Sequence, residues 1–255
     1  MIKSGRRVRT MAALGLAIGL VVAACGSSNT NPLGGNNGNN GNNGGNGQTL
    51  SAGLSANLDK LDSYQFSWQF TANSTSASAA DTGSFGISGI VVNKPTQAYK
   101  INDLGMLQII AIGSKGWSSF DNGNTWMADD SYSTSGSSLK DMLPSSMYGS
   151  DFDTNATQFT VKGDETKNGV DCVHYQGNSN LGAMGAIAGV SATFHSDLWV
   201  AKGSNPYPVS GFYGWSAATG GQAGSWGYSF DITHVNDASA NVVTEPTNIT
   251  ALPSY

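Results

Sequence analysis

Tyr64, Phe66, Trp68 and Phe70 alternate with Gln65, Ser67 and Gln69. A period of two places the rings on one face of an extended strand and the polar side chains on the other. Comparable short runs recur at 84–92, 97–101, 107–112, 116–120, 125–128, 158–162, 170–175, 192–200, 209–215 and 226–235. Turn-forming groups such as Asn93-Lys94-Pro95, Asp121-Asn122-Gly123 and Lys167-Asn168-Gly169 separate them. About eleven strands are predicted. No strand–helix–strand alternation accompanies them, so the fold class is mainly β: an antiparallel sheet with one face covered by a few short helices.

The helical signals are sparse. Leu50, Leu54, Leu58 and Leu61 recur at helical spacing after Thr49, a residue suited to capping, and predict one amphipathic helix ahead of the first strand. Leu139, Met142, Leu143 and Met147 suggest a second, which Pro144 should kink or end. The stretch 181–190 is apolar but laced with glycine, and ten residues cannot span a bilayer. It reads as a buried connection or as a mobile flap carrying Met184 and Ile187 over an apolar opening.

The chain opens with a different kind of segment. Lys3, Arg6, Arg7 and Arg9 precede 14 uncharged residues, Met11–Ala24, and Val22-Ala23-Ala24-Cys25 closes the run. As a helix these 14 residues would measure about 21 Å, short of the roughly 30 Å hydrocarbon core, which suits a cleaved signal better than a permanent span. The four closing residues read as a bacterial lipobox, with Cys25 as the lipidated N terminus of the mature chain. Two or more acyl chains hold a protein at a membrane durably, each buried CH₂ contributing about 0.8 kcal/mol. Residues 26–47 are almost all Asn, Gly and Ser, a composition that cannot form a core. As a flexible tether they would span on the order of 25 Å. The expected organisation is a signal peptide at 1–24, a lipidated cysteine and tether at 25–48, and one folded domain at 49–255.

Charge narrows the function. Every arginine lies in the leader, which leaves eight lysines against 17 acidic side chains in the rest of the chain. Such a field repels nucleic acid, and the chain lacks guanidinium forks for phosphate or carboxylate. Ser119-Phe120-Asp121-Asn122-Gly123-Asn124-Thr125-Trp126 matches the Asp-box of β-propellers and sialidases, but it occurs once and reads as a tight hairpin. Cys172 and His174 share an i, i+2 spacing, as do His195 and Asp197. A metal site or a cysteine–histidine pair is conceivable there, although no recognised ligand spacing appears. Asp129, Asp130, Asp151 and Asp153 lack the glycine and terminal glutamate of a calcium loop. No phosphate loop, dinucleotide fingerprint or nucleophile elbow is present, and no cofactor is implied.

The lipobox, the tether, the Leu61-Asp62-Ser63-Tyr64-Gln65-Phe66 start and the Gly123-Asn124-Thr125-Trp126 hairpin occur in one order with two further patterns. These are Val161-Lys162-Gly163-Asp164-Glu165 followed by Asn168-Gly169-Val170 and Tyr175, and Leu198-Trp199-Val200-Ala201 with Pro208 downstream. In this layout the chain resembles the LolA/LppX-like half-barrel bacterial lipoproteins over about residues 49–250. The resemblance implies an open half-barrel whose cavity accepts acyl chains of lipids or lipoproteins, in a non-enzymatic carrier, chaperone or sensor of the cell envelope. A partner in the envelope, a transporter or another lipoprotein, is also implied. The turn after Trp199 is displaced to Lys202-Gly203 relative to many relatives.

The strand pattern offers its own cavity candidates: Phe66, Trp68, Phe70, Phe85, Ile87, Leu198, Val200, Trp226, Tyr228 and Phe230. A single curved sheet cannot bury so wide an apolar face without helices or a ligand. Side chains alone could also fill it, which would suit a surface interaction or adhesion module, and one bulge would swap faces. A cell-envelope hydrolase using Cys172 and His174 is the third reading.

Overall fold

The period-two runs become strands β1 (Ser63–Ser74), β2 (Gly83–Val92), β3 (Ala98–Asp103), β4 (Leu107–Ile112), β5 (Lys115–Ser119) and β6 (Trp126–Ala128) in the first half. The second half adds β7 (Phe159–Lys167), β8 (Val170–Gly177), β9 (Ser191–Ala201), β10 (Pro208–Thr219), β11 (Gln222–Thr233) and the two-residue β12 (Ile249–Thr250). This computed structural model describes residues 50, 53–74, 83–147, 159–177, 191–219 and 222–250. Cys25, the tether, Thr49, Asp151, Asp153, Met184 and Ile187 lie outside them.

The strands form one sheet in the order β12-β6-β5-β4-β3-β2-β1-β11-β10-β9-β8-β7. Neighbours are antiparallel except β12, which pairs parallel to β6. The first and last strands of this order do not pair, so the sheet is an open, half-barrel-like layer. β1 sits between β2 and β11, with Phe66 opposite Gly89 on one side and Ile232 on the other. A Cβ at Gly89 would run into the Phe66 ring and the Lys100 carbonyl. The missing side chain therefore lets Phe66 lie flat on its neighbour.

One face of the sheet holds the main core. Tyr64, Phe66, Val91, Tyr99, Ile101 and Ile109 meet Leu198, Val209, Phe230 and Ile232 there. Leu50, Leu54, Leu58 and Leu61 all bury into the same core, each contributing about 1.5–3 kcal/mol if fully covered. Only Leu58 of the four lies within a helix, and that helix differs from the α-helix expected from their spacing. It is a 3₁₀ helix, Ser55–Lys60, entered from Leu54 with no side-chain cap. Gly53, two residues before it, has φ +78°, a left-handed conformation that an α-helix does not pass through. Pro144 divides the second helical stretch into α1 (Ser137–Lys140) and α2 (Pro144–Met147). As the first residue of α2 it loses no intrahelical bond. Leu139 and Leu143 are buried in the core, and α2 packs beside the 3₁₀ helix. Among the described residues, no helix is long and apolar enough to cross a membrane.

Ser119–Trp126 folds as the hairpin expected of its motif. Asp121 accepts from the Ser119 hydroxyl at 2.8 Å, the Thr125 amide at 2.9 Å and the Thr125 hydroxyl at 2.5 Å. These bonds, Thr125 first, hold its carboxyl at about 2. Trp126 donates to Gly123 O at 3.0 Å and packs with Ile110 and Trp117 in a second cluster on the face opposite the main core.

The C-terminal segment crosses this outer face. Asn236 Oδ1 accepts from the Asp62 amide at 2.7 Å, Gln65 donates to Ala240 O at 3.0 Å, and Lys115 pairs with Glu245 at 2.8 Å. Val243 covers the second cluster before β12 joins the sheet edge.

Candidate functional site

The apolar candidates divide into a buried layer and a half-buried one with Phe85 exposed. Phe66, Leu198, Val200 and Phe230 are buried in the main core, and Trp68 and Ile87 are half-buried at its margin. One step further along the strands Phe70 stands opposite both Phe85 and Tyr228, and Tyr228 stands opposite Tyr213. Their rings touch in sequence. Phe70 and Phe85 stack at 4.8 Å, Trp68 lies 5.9 Å from both Phe85 and Tyr228, and Tyr228 stacks on Tyr213 at 5.4 Å. Phe85 remains 47% exposed. Five rings thus continue the core face as a shelf. Trp226 pairs with Ala72 and Trp215 in the sheet, and its side chain lies outside the described residues.

The outer face carries a different assembly, built where β7, β8 and β9 pair. Register sets His174 beside Trp199, and a bulge in β7 between Val161 and Gly163 brings Glu165 within reach of both. His174 Nδ1 is hydrogen-bonded with Glu165 Oε1 at 2.9 Å, and its Nε2 with Asp197 Oδ1 at 2.8 Å. His195 Nε2 meets the other oxygen of Asp197 at 2.6 Å. Trp199 Nε1 donates to Glu165 Oε2 at 2.8 Å, while the indole stacks on His174 at 4.4 Å and carries Lys167 Nζ 4.5 Å above its centre. Trp199, and after it His174, hold the Glu165 carboxyl below its ordinary range.

These groups pair off instead of converging, and among the described residues no three are placed to hold a metal ion. Cys172 does not join His174. It is fully buried and donates its S–H to Val170 O at 3.3 Å. Burial raises the thiol pKa, which opposes formation of the nucleophilic thiolate. With both His174 nitrogens committed to carboxylates, the arrangement orients a ring and does not activate a thiol. Glu165, Lys167 and Phe212 were not singled out by spacing within a strand; only the register between β7, β8 and β9 relates the first two to His174.

A structure of LprF from Mycobacterium bovis matches 76% of this chain and 94% of its own at 11% identity, with a TM-score of 0.36. A LolA superfamily protein from Nitrosomonas europaea matches 75% of this chain and 96% of its own at 10% identity, with a TM-score of 0.24. A putative outer membrane lipoprotein-sorting protein domain from Vibrio parahaemolyticus matches 70% and 88% at 10% identity, with a TM-score of 0.21. No family model and no curated protein matches the chain. Likeness at this level concerns the course of the strands and says nothing of a ligand.

Proposed function

We propose that the protein is an extracytoplasmic lipoprotein, anchored through Cys25 and a tether at 25–48, whose folded domain at 49–255 takes an acyl-bearing lipid against its aromatic shelf. It acts as a carrier, chaperone or sensor in the cell envelope and not as a catalyst. One observation carries the reading: the core face does not end where its helices end. Phe70, Phe85 and Tyr228 lie one layer beyond the buried Phe230 and two beyond the buried Phe66, and Phe85 is half in solvent. An aromatic cluster that reaches solvent through one of its rings is a common form of binding surface. Rings stacked side by side offer a smooth apolar floor with few polar atoms, which suits a methylene chain better than a peptide or a sugar.

Native mass spectrometry of the full-length chain released from detergent tests this. An adduct with the mass of a lipid, lost on solvent extraction and restored by a fluorescent acyl probe, is the expected result. Repeated recovery of the bare chain with no probe uptake would overturn the proposal.

A further inference from the structure

A second opening lies on the outer face. It is a groove with a volume of about 390 Å³, within the range of small-molecule sites, about 300–1,000 Å³. Its floor is a pair of glycines: Gly214 and Gly227 stand opposite each other between β10 and β11. A Cβ at Gly227 would sit 2.8 Å from Tyr213 O, 3.0 Å from Gly214 Cα and 3.4 Å from the Phe212 ring. Backbone proximity therefore requires a residue without a side chain there, and the hollow is the consequence.

The walls have a consistent chemistry. Gln69, Asn73, Thr71, Ser216, Ser225 and Ser229 contribute amides and hydroxyls, groups that both donate and accept. Phe212, 38% exposed, supplies an aromatic surface, and His195 stands 5.9 Å from it, ring centre to ring centre. His195 is held by Asp197, itself nearly buried and bonded to His174. Among the described residues no lysine, aspartate, glutamate or aliphatic side chain lines the groove. Its one histidine is paired with Asp197, so an anion meets no unpaired cationic side chain there, and the apolar surface comes from aromatic rings and not from the aliphatic groups an acyl chain packs against.

We infer that this groove binds a neutral carbohydrate. Sugar hydroxyls are paired donors and acceptors, matched by amide and hydroxyl walls, while the weakly positive C–H face of a sugar ring suits the negative face of Phe212. Tyr228 borders both the groove and the shelf, but Phe212 belongs to the groove alone and Phe85 to the shelf alone, so variants at these two positions separate sugar binding from acyl binding.

The test is an NMR titration of the full-length chain in a detergent without a sugar headgroup. Glucose, galactose, arabinose and N-acetylglucosamine are the probes, with glucuronate as an anionic control. At least one neutral sugar should shift the amide signals of 69–73, 212–216 and 225–229, glucuronate should bind several-fold more weakly, and Phe212→Ala should weaken binding about tenfold. Phe212 is partly exposed, so this variant should fold. Asn73→Ala gives a second reading of the same wall. No shift from any neutral sugar, shifts elsewhere on the chain, or equal affinity in both variants would overturn the assignment.

Discussion

His174 and Trp199 lie face to face, 4.4 Å between ring centres and 11° from parallel, and Glu165 accepts a hydrogen bond from each. The indole thus both covers the imidazole and shares its carboxylate. Trp199→Phe keeps a ring for the stack and removes the indole N–H; Trp199→Leu removes both. Chemical denaturation should rank them in that order, with about 1 kcal/mol between the two for the lost aromatic pair. The sign with pH follows from Glu165, whose folded pKa lies below its ordinary 4.5. Its contribution is complete above that value and is lost as pH falls through the lower folded one. The gap between wild type and Trp199→Phe should therefore narrow below about pH 4.5.

Asp197 serves two histidines, one per oxygen. Asp197→Asn removes the charge and can accept at only one position. We expect a loss of about 1–3 kcal/mol in urea denaturation, and release of the His195 ring, visible as averaging of its NMR signals. An unchanged midpoint would mean that the outer cluster contributes no stability.

Asp121 binds its own hairpin through Ser119 and Thr125. Asp121→Ala should lower Tm by several degrees at neutral pH. The folded pKa of about 2 lies below the ordinary 3.8, so the contribution is present above 3.8 and disappears as pH falls through about 2. Thermal melts of the two proteins should therefore converge near pH 2.

How much of this was legible follows from what each feature depends on. The eleven longer strands were readable because burial on one face leaves a period of two, as in Tyr64 to Phe70. β12 was not, since Ile249 and Thr250 join the sheet by meeting a strand more than 120 residues earlier and carry no pattern of their own. The leucines of the opening helix were readable as a buried stripe, but the helix type was not, because Gly53 turns the chain locally. His174 and Cys172 share a strand and a spacing, yet one faces two carboxylates and the other is sealed in the core. That division is set by the neighbours each side chain meets, Glu165 and Asp197 for His174 and the core for Cys172, which spacing within one strand does not encode. The groove was hidden for the same reason: Gly214 and Gly227 matter only as partners.

Core and shelf should respond differently to truncation. Phe230→Ala removes a fully buried ring and should cost about 3–5 kcal/mol. Phe85→Ser, at a half-exposed ring, should cost about 1 kcal/mol or less. It should nonetheless weaken uptake of a fluorescent acyl probe about tenfold. If both variants keep wild-type uptake at equal folded fraction, the shelf is not the binding surface.

Covalent mapping reads the acyl contact itself. The full-length chain is irradiated with a photoreactive fatty-acyl probe, digested and sequenced by mass spectrometry. Labels on the peptides that hold Trp68, Phe70, Phe85 and Tyr228, competed by unlabelled lipid, are the expected result. Labels scattered over the outer face, or no competable label at all, would contradict a lipid seat on the aromatic shelf.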